Sequence, residues 1–221
     1  MNDRTSSSSR ASSSCYVGSV SEDHLDALAI LPSATPYQKQ GRLIEMADDF
    51  MLVTFITSWK AYQDHLAAAL TQLTDKQLAL RAAPGLRSVG ENALHIVGCR
   101  MFWFTEALGE DGGEELQPYA RWNRVALEAP YASSEEYTRA LQAPVPTGAE
   151  LAEGINRTWR FMANRLAQWG PAEMRQTFGS EEDGEASRAW VVWHVLEHDL
   201  HHGGETSLTL GMHGIDAQFA V

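Results

Sequence analysis

The 221-residue sequence is poor in cysteine, in positive charge and in long apolar runs. Its two cysteines, Cys15 and Cys99, lie in a serine-rich stretch and in a helical segment, and we expect no structural disulfide between them. A net charge of −12 argues against nucleic acid and against anionic membrane surfaces, since both need clustered Lys and Arg. No stretch approaches the roughly 20 apolar residues of a membrane span, and the N-terminus lacks the apolar middle of a secretory signal. We therefore predict a cytoplasmic protein that binds neither nucleic acid nor membranes.

Helical periodicity is the dominant hydrophobic pattern of the sequence. Residues 1–20 are serine-rich and are predicted to form a disordered tail, and residues 21–40 a short helix (Asp23 to Leu31) with a proline-containing linker. Residues 41–221 are predicted to form one domain with four long amphipathic helices and no convincing strand. This pattern predicts an all-α four-helix bundle with short extra helices.

Capping signals indicate where most of these helices begin. Pairs of the form Ser/Thr-x-x-Glu occur at Ser88, Ser133 and Thr147, and Ser187 provides a further cap. Gly211 is the expected C-terminal cap of the last helix, and the acidic stretch 179–185 is expected to be a loop. The predicted helices run from about Arg42 to Leu73, Ser88 to Leu108, Ser134 to Leu141, Thr147 to Gln168 and Ser187 to Leu210.

The densest chemical signal is a histidine cluster in the last helix, WHVLEHDLHHGGE from Trp193 to Glu205. Positions four apart stay on nearly one helical face, so His194, His198 and His202 form a row, with His201 and Glu205 close beside it. Buried imidazoles need hydrogen-bond partners or a metal ion. An H-x-x-x-H pair can supply two ligands to one ion, and a third is expected from another helix.

His95 is the best candidate for that third ligand. It lies on the apolar side of the second predicted helix, among Leu94, Val97, Phe102 and Trp103. Helical bundles commonly build metal sites from side chains on facing helices. A lone histidine at such a position is, however, more often an ordinary core residue.

Two other arrangements remain open from the residues alone. His194-Val-Leu-Glu197-His198 matches the H-x-x-E-H pattern of inverzincins, in which Glu197 would be the base. Cys99 lies four residues after His95 and would be a fourth ligand, a reactive thiolate or a small buried hydrophobe.

The last-helix segment LEHDLHHGGETSLTLGMHGI resembles the signature of the DinB-like superfamily, an H-x-x-H-H run followed by glycine. The segment PGLRSVGENALHIVGCRMFW is similar to that family's second helix, which contributes a histidine. The resemblance covers about Gly41 to Ile215 and implies the metal ligands His95, His198 and His202. It also implies an up-down-down-up bundle that frequently forms homodimers.

The sequence departs from this family pattern near the site. Gly203 stands where arginine is common, and Glu205 where glutamine is usual. Cys99 and Arg100 stand where an acidic residue is common. These departures bear on the substrate more than on the metal ion.

The resemblance implies an enzyme that transfers a low-molecular-weight thiol or carries out a thiol-dependent isomerisation. Three neutral imidazoles leave a coordination position open, where a divalent ion can activate a thiol or water for attack on a small electrophile. Zinc is the expected ion, and all-histidine ligation also suits nickel or iron. The alternatives are a metal-dependent hydrolase and a non-catalytic, metal-stabilised binding or sensing bundle.

The remaining candidate residues surround this site. Glu197 is a candidate base or orienting group, and His194, His201 and Glu205 are expected beside the ligands. Arg100 is a candidate for holding a substrate carboxylate, although a solvated surface arginine is the simpler interpretation. The candidate pocket walls are Trp59, Trp103 and Trp193, each of which helical spacing also suits to the core.

Overall fold

The computed structural model describes the backbone of residues 37–180 and 184–217, and the side chains of 52–179 and 185–217. The tail predicted at 1–20 and the short helix predicted from Asp23 to Leu31 lie outside the described residues. Within the described part, none of the helices combines the length and the apolar character required to traverse a lipid bilayer.

Among the described residues, four long helices confirm the all-α prediction, and five short ones connect them. The helices in chain order are α1 Tyr37–Thr71, α2 Asp75–Leu78, α3 Val89–Met101, α4 Gly113–Leu116, α5 Trp122–Leu127, α6 Ser134–Leu141, α7 Gly148–Leu166, α8 Pro171–Met174 and α9 Arg188–Met212. A π-helical segment, Phe102–Ala107, continues α3, and Gln117–Tyr119 forms a 3₁₀ turn. Helix α1 packs on α7, and α3 packs on α5, α7 and α9. The up-down-down-up order of helix directions stays a prediction.

Apolar side chains between the long helices form two core clusters. One contains Leu66, Leu94 and Ile155. The other is rich in aromatic residues and contains Trp59, Trp103 and Trp159. Trp59 and Trp159 meet edge to face at 5.2 Å between ring centroids, which is a favoured aromatic geometry. All thirteen residues of α3 are buried, so this helix lies at the centre of the bundle.

Two local expectations were wrong. The predicted loop at 179–185 overlaps an antiparallel hairpin of β1 (Thr177–Ser180) and β2 (Gly184–Ser187), in which Thr177 pairs with Ser187. Each strand has only four residues, and Phe178 is the one large apolar side chain among them, so there is no apolar alternation by which to recognise them. Helix α9 also continues past Gly211 to Met212, and Gly214 adopts the positive φ of +72° that follows such a helix end.

Candidate metal centre

Three histidine rings from α3 and α9 converge in the core of the bundle. The Nε2 atoms of His95 and His198 lie 3.0 Å apart. The ring centroid of His202 is 4.7 Å from that of His95 and 4.4 Å from that of His198. One ring nitrogen of each residue lies within 4.8 Å of the other two, and the residues are only 5%, 8% and 7% exposed. We call these three residues the histidine triad.

The start of α3 fixes how His95 faces α9. The Ser88 hydroxyl accepts a hydrogen bond from the Glu91 N–H, and the Glu91 carboxylate accepts one from the Ser88 N–H at 2.8 Å. Arg81 donates two further bonds to the same carboxylate, at 2.5 and 2.7 Å. This reciprocal cap sets the first turn of α3, and His95 follows one turn after Glu91.

A buried ion pair fixes α9 against α3 beside the triad. Arg100 donates to both carboxylate oxygens of Asp199, with a shortest distance of 2.7 Å. Trp59 of α1 donates to Asp199 at 2.8 Å, and Arg100 donates to the Ile155 carbonyl of α7 at 2.9 Å. We call this group of Trp59, Arg100, Asp199 and the Ile155 carbonyl the polar node. It joins all four long helices, and Asp199 directly follows His198 of the triad.

The triad is electrically neutral in this environment. Burial, followed by the positive charge of Arg87, lowers the pKa of the His95 imidazole to about 3. Burial is also the main cause of the lowered pKa values of His198 and His202. Neutral imidazoles keep a nitrogen lone pair available, which is the form that binds a metal ion.

Two polar side chains outside the triad act on its rings. Glu205 lies 2.7 Å from Nδ1 of His202, which directs the other nitrogen of that ring toward the triad. The Asn123 side chain lies near His95 and opposes the lowering of the His95 pKa. Asn123 can come this close because α5 packs on α3 at Gly98, where a Cβ atom would lie 1.8 Å from the Asn123 nitrogen.

The donor set fits a divalent metal ion. Two nitrogens that are each about 2.1 Å from one ion lie roughly 3.0 Å apart at a right angle and about 3.4 Å apart at a tetrahedral angle. The 3.0 Å between His95 and His198 falls at this spacing. The carboxylate of Glu205 is bound to the outer nitrogen of His202, which is the usual arrangement around a metal-ligating histidine. The triad can therefore hold one ion.

A family model for the DinB superfamily matches residues 58–206, which is more than half of the chain and includes the whole triad. The chain belongs to the DinB superfamily. Members of the DinB superfamily generally bind metal ions, and the buried triad is compatible with such binding. The crystal structure of a DinB-like protein from Bacillus cereus ATCC 10987 has a similar fold, with a TM-score of 0.52 and 18% identity over 76% of this chain and 95% of that chain. A comparison with curated proteins finds no match.

The other predicted site residues on α9 lie around this DinB-type triad rather than in it. His194 stacks on Trp190 with ring centroids 4.9 Å apart, and its centroid is 6.2 Å from that of His198. His201 is exposed and lies 3.2 Å from Glu205. Glu197 is also exposed, 3.9 Å from His194, so the structure does not bring it to the triad. The inverzincin arrangement requires His194 and His198 as the ligand pair, whereas the buried group that could hold an ion contains His198 without His194. A catalytic role for Glu197 stays a prediction.

The predictions on α3 and for the tryptophans have mixed outcomes. Arg100 is fully buried in the polar node, so the solvated surface arginine was a wrong expectation. Cys99 is buried in the aromatic-rich core cluster and is not among the residues that group with the triad. Trp103 is buried against His194 at 4.9 Å between ring centroids, and Trp59 belongs to the polar node. Trp193 is 55% exposed, so it does not line a pocket in the bundle.

Sequence reasoning missed three polar residues of this region. Asp199 and Asn123 gave no motif, because their partners lie on other helices. Arg87 also gave none, although it directly precedes the Ser88 cap and so had a predictable place at the start of α3.

The separate cavity of about 640 Å³ contains none of the triad and is lined by residues such as Arg81, Glu91, Tyr131 and Tyr137.

Proposed function

We propose that this DinB superfamily protein is a metal-dependent enzyme, in which the triad holds one divalent ion and a small thiol or water is activated for attack on a small electrophile. The supporting observation is the convergence of three neutral, buried imidazoles with no carboxylate between them. A bound ion would supply Lewis acidity, which lowers the pKa of a thiol or water. Zinc is the proposed ion, with nickel or iron as alternatives. A low-molecular-weight thiol is the proposed cosubstrate.

The residues around the triad would act by orientation. Glu205 holds the His202 ring. Burial raises the pKa of the Glu205 carboxyl, but the hydrogen bond to His202 opposes burial, and the pKa is lowered on balance. Glu205 is thus a poor proton acceptor and a good ring-positioning residue. The polar node holds α3 and α9 at the spacing that brings His95 to His198.

Elemental analysis of protein purified without a histidine tag tests this proposal. We expect about one divalent ion per wild-type chain and almost none in the His198→Ala variant, because each ligand is needed for tight binding. The His213→Ala variant is a matched control, since His213 is exposed at the end of α9 and bonded to the Arg81 carbonyl. A wild-type protein that holds no metal when refolded with zinc would contradict the metal centre.

A non-catalytic, metal-stabilised bundle is the second candidate function. The low exposure of the three rings favours it, since catalytic metal sites keep an open position for substrate. Thiol consumption measured with several electrophiles separates the two candidates. Turnover in the metal-loaded wild type that is lost in His198→Ala supports the enzyme; full metal loading without consumption of any thiol or ester supports the bundle.

A further inference from the structure

The cavity of about 640 Å³ lies at the start of α3 and is separate from the triad. Residues of α2, α3, α6 and α7 line it, together with the segment that leads into α7. Its apolar surface includes Leu78, Val145, Pro146 and Leu151. Cavities of this volume with a mainly apolar lining and a few polar groups are typical binding sites for small organic molecules.

Two stacked tyrosines form one wall of this cavity. The rings of Tyr131 and Tyr137 have centroids 5.2 Å apart and planes 15° from parallel. The Tyr131 hydroxyl donates to the Val125 carbonyl at 2.7 Å. Tyr137 is only 9% exposed, and its hydroxyl makes no hydrogen bond with a described residue. That hydroxyl is therefore available to a polar group of a ligand, and the faces of tyrosine rings attract cations.

The charged residues of the lining differ in whether they have partners. Arg81 donates to both carboxylate oxygens of Glu91, at 2.5 and 2.7 Å, and also to the Leu86 carbonyl. The Ser88 N–H donates to the same Glu91 carboxylate. The exposed Asp75 carboxylate, in contrast, forms no ion pair with a described residue. One arginine and two carboxylates give the lining a net charge of −1, and Asp75 carries the uncompensated charge.

The start of α6 does not reverse the sign of this charge, although Ser133 lines the cavity. The Ser133 hydroxyl accepts the Glu136 N–H at 3.2 Å, and the Glu136 carboxylate accepts the Ala132 N–H at 3.1 Å. These acceptors compensate the positive end of the helix. Burial, followed by the negative charge of Glu91, raises the pKa of the Tyr137 hydroxyl. A negative potential thus reaches the tyrosine wall.

We propose that this cavity is a binding site for a small organic ammonium ion with an apolar body. The Asp75 carboxylate balances the charge of the ammonium group, and the Tyr137 hydroxyl accepts one of its N–H donors. The apolar body packs against the apolar part of the lining. A carboxylate or phosphate ligand is disfavoured, because the lining is negative and the Arg81 fork is occupied by Glu91. This site does not depend on the proposed metal centre.

Isothermal titration calorimetry of the full chain with three probes of one shape tests the proposal. The probes are 4-phenylbutylamine, the uncharged 4-phenylbutan-1-ol and the anion 4-phenylbutyrate. We expect the amine to bind about three- to fivefold more tightly than the alcohol, as for an ion pair with a partly exposed carboxylate, and the anion to bind most weakly. Asp75→Asn should remove the preference for the amine and leave the alcohol unchanged. Tyr137→Phe should weaken the amine by about fivefold through the lost hydrogen bond.

Three further variants locate the bound amine. Thr138→Trp places a large ring in the cavity from an exposed position of α6 and should weaken the amine at least about tenfold. Asp111→Asn removes an exposed aspartate that does not line the cavity and should change none of the affinities. His198→Ala should also retain the affinity for the amine, which excludes binding of the amine to a metal ion at the triad. Far-UV circular dichroism verifies that each variant is folded.

Four results would overturn the assignment. These are a wild type that binds none of the probes, a wild type that binds the alcohol or the anion as tightly as the amine, unchanged amine affinity in both Asp75→Asn and Thr138→Trp, and loss of amine binding in His198→Ala. Failure of the metal centre alone leaves the assignment intact, because none of these measurements needs a bound metal ion.

Discussion

Arg100 of α3 and Asp199 of α9 form a fully buried ion pair 2.7 Å long, next to His198 and one turn beyond His95. Neither side chain is exposed, and the carboxylate also accepts the Trp59 indole N–H. Burial raises the pKa of the Asp199 carboxyl, and Arg100 and Trp59 oppose that effect. At the centre of the bundle, where side chains mostly make apolar contacts, this pair forms directional hydrogen bonds. These hydrogen bonds fix the register of α3 against α9.

Removing the charge of Asp199 should destabilise the fold strongly. Asp199→Asn leaves the Arg100 guanidinium buried without a counter-charge, and we expect a loss of about 3–5 kcal/mol in the free energy of unfolding. Urea denaturation with a chelator present measures this apart from metal binding. The control is Glu153→Gln, which removes the carboxylate of the surface pair with Arg157 and should change stability little. A loss below about 1 kcal/mol for Asp199→Asn would show that the node is not a main support of the fold.

Glu205 should tune the affinity of the metal centre. Glu205→Ala removes the group that orients His202, and we expect divalent-metal affinity to fall by about 10- to 100-fold. Glu197→Ala is the matched control, because Glu197 is a second half-exposed glutamate of α9, which lies 3.9 Å from His194 instead. Competition with a chromophoric chelator measures both variants. Equal affinity in Glu205→Ala and wild type would remove Glu205 from the site.

The starts of the helices were predictable because a cap is a local interaction. The serines and threonine at 88, 133, 147 and 187 all cap helices at the expected positions. Each signal spans three or four residues, so no knowledge of the tertiary fold is needed. The ends were less predictable, since several glycines compete for the role and packing decides which one leaves the helix, as at Gly211 and Gly214.

The candidate site was only partly predictable for the opposite reason. The His198–His202 pair follows from helical spacing, and the structure brings His95 to it. The polar node does not follow, since Asp199 is 99 residues from Arg100 and a single arginine in a helix indicates a surface residue. Asn123 belongs to α5, and no sequence spacing relates α5 to α3.

Two adjacent glycines of α9 should respond in opposite directions to alanine. A Cβ atom at Gly203 would lie 1.9 Å from the Tyr62 hydroxyl, so Gly203→Ala must displace Tyr62 and should cost about 1–3 kcal/mol. Gly204 has open space around its Cβ position, so Gly204→Ala should stabilise the helix by about 0.5–1 kcal/mol. Thermal unfolding of the two variants in parallel measures the difference. Equal effects would mean that α1 does not pack on α9 at Gly203.

The outward face of α9 should mediate the proposed homodimer. Trp193, Leu200 and Leu208 are 55%, 44% and 64% exposed, and their seven- and eight-residue spacing places them on one side of the helix. Exposed large apolar side chains grouped in this way mark interaction surfaces. Burying one such side chain contributes about 1.5–3 kcal/mol, so Trp193→Glu with Leu208→Glu should weaken dimerisation at least about tenfold. Sedimentation equilibrium measures this, with Leu127→Glu, an exposed leucine of α5, as the control. A monomeric wild type would make the homodimer prediction wrong, and a dimer that survives the double substitution would place the interface on another face.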